Sequence, residues 1–202
     1  LTEELKKAIL AAQTLVVVED LYRPYRPKRR TRATIAKEKG LEPLANIILL
    51  QMTNKSLEEE AKPFISEEKG VADVQEAIAG AMDILAEAIS DEADYRIHIR
   101  KMTAKSGSVS SAAKKENEES VYEMYYNFEE PISKIAGHRI LALNRGEKEK
   151  VLTVKINAPE EEILAWLKRQ VIKKDNKNTK PVLEAVVDDS YKRLIAPAIE
   201  RE

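Results

Sequence analysis

Cysteine is missing from all 202 residues. That excludes disulfides and thiolate metal sites, and it fits a reducing compartment, so the expected localisation is cytoplasmic. Histidine is nearly missing too: His98 and His138 lie far apart, and the histidine-rich pattern of zinc hydrolases does not occur. Glycine is sparse, and "KSGS" at Lys105 to Ser108 has too few glycines to cradle a phosphate. Neither a nucleophile elbow nor a P-loop is present. The apolar runs, such as "LVVV" at Leu15 to Val18, fall far short of the roughly 18 residues of a membrane span. No signal-peptide pattern is visible, and no membrane partner is expected. Acid pairs such as Asp188 and Asp189 read as solvated helix face rather than as a catalytic dyad. The expectation is a non-enzymatic chain with no catalytic residue, no metal and no cofactor.

What is present is charge and helical periodicity. The chain is 43% hydrophobic and 34% charged, and its 34 bases against 35 acids leave a net charge of -1. This is the composition of a globular domain with a highly charged surface, long enough for one large domain or two small ones. It begins at Leu1 inside one helical pattern and ends inside another, "DDSYKRLIAPAIERE", which reads as a piece of a longer protein.

The spacing predicts a mainly α chain. Leu1, Leu5, Ala8, Ile9 and Ala12 form an amphipathic stripe over Leu1 to Leu15. Pro24 and Pro27 then stop regular structure. Helices are predicted over Thr31 to Lys39, ending at Gly40, and from Pro43 through "LANIILLQM". A short one follows at Ser56 to Lys62, then a turn at Ser66 to Lys69. Val71 to Ile89 carries a long apolar stripe, and Asp91 is placed to cap a helix reaching Thr103. "SGSVSSA" (Ser106 to Ala112) and "VLTVKI" (Val151 to Ile156) read as strands of one small two-stranded element. The tyrosine-rich Glu118 to Phe128 reads as helix, as do Gly137 to Asn144, Pro159 to Gln170 and the segment after Pro181. Trp166 and Tyr122, Tyr125 and Tyr126 read as core or domain-contact residues. A subdivision at 104/105 is expected, with helices alone before it and helices plus the β element after it.

Against this neutral background one stretch stands out. Six of the ten residues from Arg23 to Arg32, in "RPYRPKRRTR", are basic, and no acid interrupts them. Arg26, Lys28, Arg29, Arg30 and Arg32 are suited to phosphates, and Tyr22 and Tyr25 to stacking on bases. The same arginines can instead tie a proline-rich loop to carboxylates on neighbouring helices. The residues alone leave both readings open, and the neutral balance weighs against a dedicated nucleic-acid module. Next to the stretch, Ala36, Gly40 and Ile47 fall near the small, turn and apolar positions of a helix-turn-helix. "HRILALNRG" supplies His138, Arg139 and Arg145 as secondary candidates, with Leu141 and Arg145 sharing a helix face.

"EDLYRPYRPKRRTRATIAKEKGLEPLA" (Glu19 to Ala45) resembles the signature near the N-terminus of the bacterial Tex family of transcription accessory proteins. "AIAGAMDILAEAISD" (Ala77 to Asp91), "HRILALNRGEKEKVLTVKI" (His138 to Ile156) and "DDSYKRLIAPAIERE" (Asp188 to Glu202) resemble later blocks in the same order. The resemblance implies part of the family's N-terminal helical region. It also implies that a ribonuclease-H-like domain, helix-hairpin-helix elements and a C-terminal oligonucleotide-binding barrel lie outside this sequence. Expected partners are RNA or DNA, bound weakly or jointly with those domains, and the transcription machinery. The alternatives are a protein-interaction or structural scaffold with the basic loop paired internally and, on the strength of the ribonuclease-H-like domain alone, a nuclease.

Overall fold

A computed structural model describes residues 3–11, 15–25, 30–115 and 119–201. It divides into two compact units, one of residues 1–97 and 164–202, the other of residues 98–163. The second part of the sequence therefore does not form one body: the chain's last helices belong with its first.

The first unit is helical because its stop and start signals are local and strong. α1 (Glu3–Ala11) and α2 (Leu15–Tyr22) pack on each other, and a 3-10 turn at Arg23–Tyr25 contains Pro24. α3 (Arg32–Glu38) starts at Thr31, whose hydroxyl accepts from the Thr34 amide at 3.2 Å. Gly40 then turns the chain with φ of 77°, a left-handed conformation that side chains disfavour. α4 (Glu42–Leu50) has Pro43 in its first turn, where no amide is needed. The two helices thus form where Gly40 and Pro43 predict them. α5 (Leu57–Ala61) is capped by Ser56, and the turn after it closes through a bridge between Ser66 and Val71.

α6 (Val74–Asp91) is the axis of the unit. Asp73 caps its start by accepting from the Glu76 amide at 2.8 Å, and Glu76 returns the bond to the Ala72 amide at 2.9 Å. Ala77, Ile78, Ala81, Ile84, Leu85 and Ile89 are buried along it. Each large aliphatic side chain there contributes about 1.5–3 kcal/mol of burial. α3, α4 and α5 pack on it, as does α10 (Lys180–Asp189). Packing is tight at Gly80, where an added Cβ would stand 2.3 Å from Leu41 Cδ1 and 3.3 Å from Ala36 Cβ.

The last helical run is not regular. After α10, Ser190–Ile195 widens into a π-helical stretch before α11 (Ala196–Arg201). Pro197 supplies the reason: it has no amide for the Arg193 carbonyl, and its ring would press on that carbonyl in an α-helix. The widened turn buries Tyr191 and sets the Ser190 hydroxyl 2.6 Å from the Ala86 carbonyl on α6.

The second unit is built on a three-stranded antiparallel sheet in the order β2-β1-β3, against the two strands expected. β1 (Ser108–Ala113) is central, with Ser110 opposite Glu129 of β2 (Asn127–Pro131) and Lys155 of β3 (Leu152–Asn157). The strand absent from the prediction is β2. The helix expected over Glu118 to Phe128 is replaced by a 3-10 turn at Glu123–Tyr125 followed by this strand; Tyr122 and Tyr125, beside and in the turn, are buried. Beyond it the pattern switches to alternation. Val109, Phe128, Leu152, Val154 and Ile156 lie on the packed face, with α8 (Gly137–Lys148) against β3. Ser108, Ser110, Glu129 and Asn157 share the opposite face, where Asn157 Nδ2 donates to Ser110 Oγ at 3.0 Å. α7 (Ala93–Ser106) leads into this unit and α9 (Glu160–Val171) leads out of it.

Candidate nucleic-acid interface

Arg26, Lys28 and Arg29 lie outside the described residues, as does the side chain of Tyr25. The two ends of the basic run are described. Tyr22, on the last turn of α2, is 38% exposed. Arg23 is half-buried, and its Nε makes no hydrogen bond among the described residues.

At the other end, Arg30 is exposed, with 68% of its side chain open to solvent, and lies along α3 so that Nη2 reaches Glu38 Oε2 at 2.9 Å. An ion pair so exposed is worth at most about 1 kcal/mol, so a phosphate can take the guanidinium from it. Thr31 is held much harder. Besides capping α3 it donates from its hydroxyl to Glu87 Oε2 on α6 at 2.7 Å. Arg32 is exposed and opens α3, a helix end that disfavours a cation.

The compensation for Arg32 comes from Asp83 on α6, which also faces a pair between α10 and the π-helical stretch. Arg193 donates through Nε and Nη2 to the two carboxylate oxygens of Asp189, at 3.0 and 2.9 Å, and stands 4.0 Å from Asp83 Oδ1. That hold on Asp189 raises the guanidinium above its ordinary value. Burial raises the Asp83 carboxyl above its ordinary range; Arg193 and Arg32 oppose that rise and Asp189 adds to it. Arg32 therefore stands at the edge of a mixed cluster of Asp83, Glu87, Asp189 and Arg193.

In the second unit the secondary candidates separate. His138 and Arg145 are exposed on α8, on one face with Leu141, 71% exposed, and Lys148. Arg139 turns inward instead. It pairs with Glu130, a carboxylate on the packed face of β2, and lies over the Phe128 ring with 5.6 Å to the centroid. Arg145 also stands near the Tyr122 hydroxyl, which burial and a hydrogen bond to Glu149 raise above the ordinary tyrosine value. Gly146 brings α8 onto β3, and an added Cβ there would sit 2.5 Å from Leu152 Cδ1.

Sequence reasoning did not single out Gln51. It ends α4 with φ of 57° and is buried. Its Nε2 donates to the Val171 carbonyl at 2.9 Å, and its Oε1 accepts from the Lys173 amide at 2.9 Å and the Lys174 amide at 3.2 Å. A polar residue directly after an apolar helix was the one signal available. Among the described residues no group of His, Cys, Asp and Glu side chains is arranged to hold a metal, and no helix is long and apolar enough to cross a membrane.

The chain matches the family model for the Tex central region over residues 53–202. It is 52% identical over 205 residues to YdcI of Bacillus subtilis, covering all of this chain and 28% of that protein. Protein tex of Bordetella pertussis is 40% identical over 158 residues, covering 77% of this chain and 20% of its own length. The human S1 RNA-binding domain-containing protein 1 is 33% identical over 218 residues, covering all of this chain and 22% of that protein. The chain thus spans from 20% to 28% of the length of these relatives.

Proposed function

The chain belongs to the Tex family, and from that premise we propose that it is a non-enzymatic scaffold of a cytoplasmic transcription accessory protein that adds an electrostatic contact to nucleic acid. Its contact surface is the basic run, with Arg26, Lys28, Arg29, Arg30 and Arg32 facing phosphates and Tyr22 and Tyr25 beside them. The observation that carries this reading is the fixing of one end of the run to a rigid frame. Thr31 caps α3 and bonds Glu87 of α6, while the neighbouring Arg30 is exposed and held only by a surface pair. A run of cations anchored at its end, with Arg30 and Arg32 exposed there, suits sequence-independent phosphate contact. A human relative is named for an S1 RNA-binding domain, and a Neisseria gonorrhoeae relative as a transcriptional accessory protein, in keeping with this role. The exposed face of α8 with His138 and Arg145 is a second, smaller contact. α4 is not assigned a groove-reading role: its exposed residues include Glu42, Pro43, Asn46 and Leu49 and no base, so it offers nothing to a phosphate backbone.

A specific observation also favours a structural reading of the run. Arg30 reaches Glu38, and Arg32 stands near Asp83, as a clamp would require. The two readings part in one experiment. Labelled single- and double-stranded RNA and DNA are titrated by anisotropy across a salt series, with the wild type and with Arg29→Ala, Arg30→Ala, Arg32→Ala combined, and a melting curve is taken for each protein. Loss of binding in a normally melting variant, with the salt slope on duplex DNA reduced by up to about 2–3, supports the contact. Unchanged binding, or none by the parent, with a large fall in the variant's melting temperature assigns the run to the scaffold.

A further inference from the structure

We infer that the first unit carries a docking groove for a basic amphipathic helix of a partner protein, seated along the C-terminal half of α6. Two adjoining hollows of about 430 Å³ and about 370 Å³ share Leu49, Leu85, Ala88 and Glu92, and so form one furrow. Its floor is the α6 face bearing Ile84, Leu85, Ala88 and Ile89. Ala45 and Leu49 of α4 form one wall, and Tyr95 and Val171 extend it at the far end. The stretch from Ile84 to Glu92 rises about 12 Å, or two helical turns. That length takes apolar anchors at i, i+3 or i+4, and i+7 of an incoming helix. Ala88 sits where the hollows join and is exposed; its small side chain lets a second helix come close. Leu49 is 45% exposed beside it, an apolar surface that a partner would cover.

Charge selects the occupant. Carboxylates of Glu42, Glu87, Asp91 and Glu92 border the furrow, against the ammonium groups of Lys37 and Lys173. The negative end of the α6 dipole points the same way, and the last turn of α6 has no base to offset it. An apolar floor under a negative rim fits a helix with a leucine-like stripe flanked by lysine or arginine, and it repels a phosphate backbone. The groove is thus distinct in chemistry from the basic run.

The probe is a labelled synthetic peptide of about 15 residues with leucines at i, i+3, i+4 and i+7 and lysines between them. It is titrated by anisotropy against the whole chain, beside a scrambled peptide and one with glutamate for lysine. The expected result is binding of the basic amphipathic peptide alone, weakened at least about tenfold (about 1.4 kcal/mol) by Ala88→Arg and by Glu42→Lys with Glu92→Lys. Ala88 is exposed, so the arginine is compatible with folding; Leu49→Glu serves as a second block, and circular dichroism checks each variant. Equal binding of the scrambled peptide, unchanged binding by the blocked variants, or no binding at millimolar peptide overturns the inference. So does sedimentation showing a dimer of this chain that Ala88→Arg dissociates, because the occupant is then a second copy.

Discussion

Gln51 shows how one side chain can join segments far apart in sequence. It closes α4 in a left-handed conformation and satisfies the Val171 carbonyl and the amides of Lys173 and Lys174. Replacing it with leucine keeps much of the volume and removes every one of these bonds. The Val171 carbonyl is buried, whereas Lys173 and Lys174 are exposed and their amides can turn to water. A buried group left unsatisfied costs about 1–3 kcal/mol, so Gln51→Leu is expected to lower unfolding free energy by about that much in urea titration. Asp83 makes the complementary case for pH. Burial raises its carboxyl in the folded state, against the pull of Arg193 and Arg32. The folded chain therefore holds this proton more tightly than the unfolded chain. The stability it contributes is fully present below the ordinary aspartate range and is lost as pH rises through the raised value. Asp83→Asn removes that loss. Its melting temperature relative to wild type is expected to climb as pH rises above the ordinary aspartate range, as followed by circular dichroism.

The elements differ in how much of them is written locally. α3, α4 and α6 could be placed from Thr31, Gly40, Pro43 and Asp73, because caps and turns act within a few residues. β1 and β3 were legible from small and alternating residues. β2 was not: an edge strand needs its partner to exist, and Tyr122 with Tyr125 imitates a helical spacing just before it. The π-helical stretch follows from Pro197 once the helix is known to continue past it. α3 and α6 meet at Gly80, where the space for a Cβ is already taken by Leu41 and Ala36. Gly80→Ala is a better helix former in isolation, yet it is expected to destabilise the chain by about 1–3 kcal/mol through overpacking, read as a lower denaturant midpoint at unchanged slope.

At the scale of the whole molecule, the chain builds two cores. The one in residues 98–163 gathers Val109, Tyr122, Tyr125, Leu143 and Leu152, and the other is arranged around α6. Gly146→Ala forces α8 off Leu152. Faster hydrogen exchange is expected across β1, β3 and α8, with the amides of α6 keeping their protection; equal loss in both units would show a single cooperative core. By itself the sequence determined the starts and stops of α3, α4 and α6, the strand alternation in β3, the basic run and the family, since each is a matter of neighbouring residues or of ordered motifs. Only the tertiary structure decided that residues 164–202 return to the first unit, that Arg139 turns in to Glu130, that Arg30 and Arg32 stand beside carboxylates, and that α6 lines an open acidic furrow. Arg30 and Arg139 pair only eight and nine residues away, but which carboxylate each reaches depends on how the chain turns between them. The return of residues 164–202, the Arg32 neighbourhood and the furrow depend on which distant segment supplies the opposing charge or the missing wall, and pairing across long sequence separation leaves no local signal.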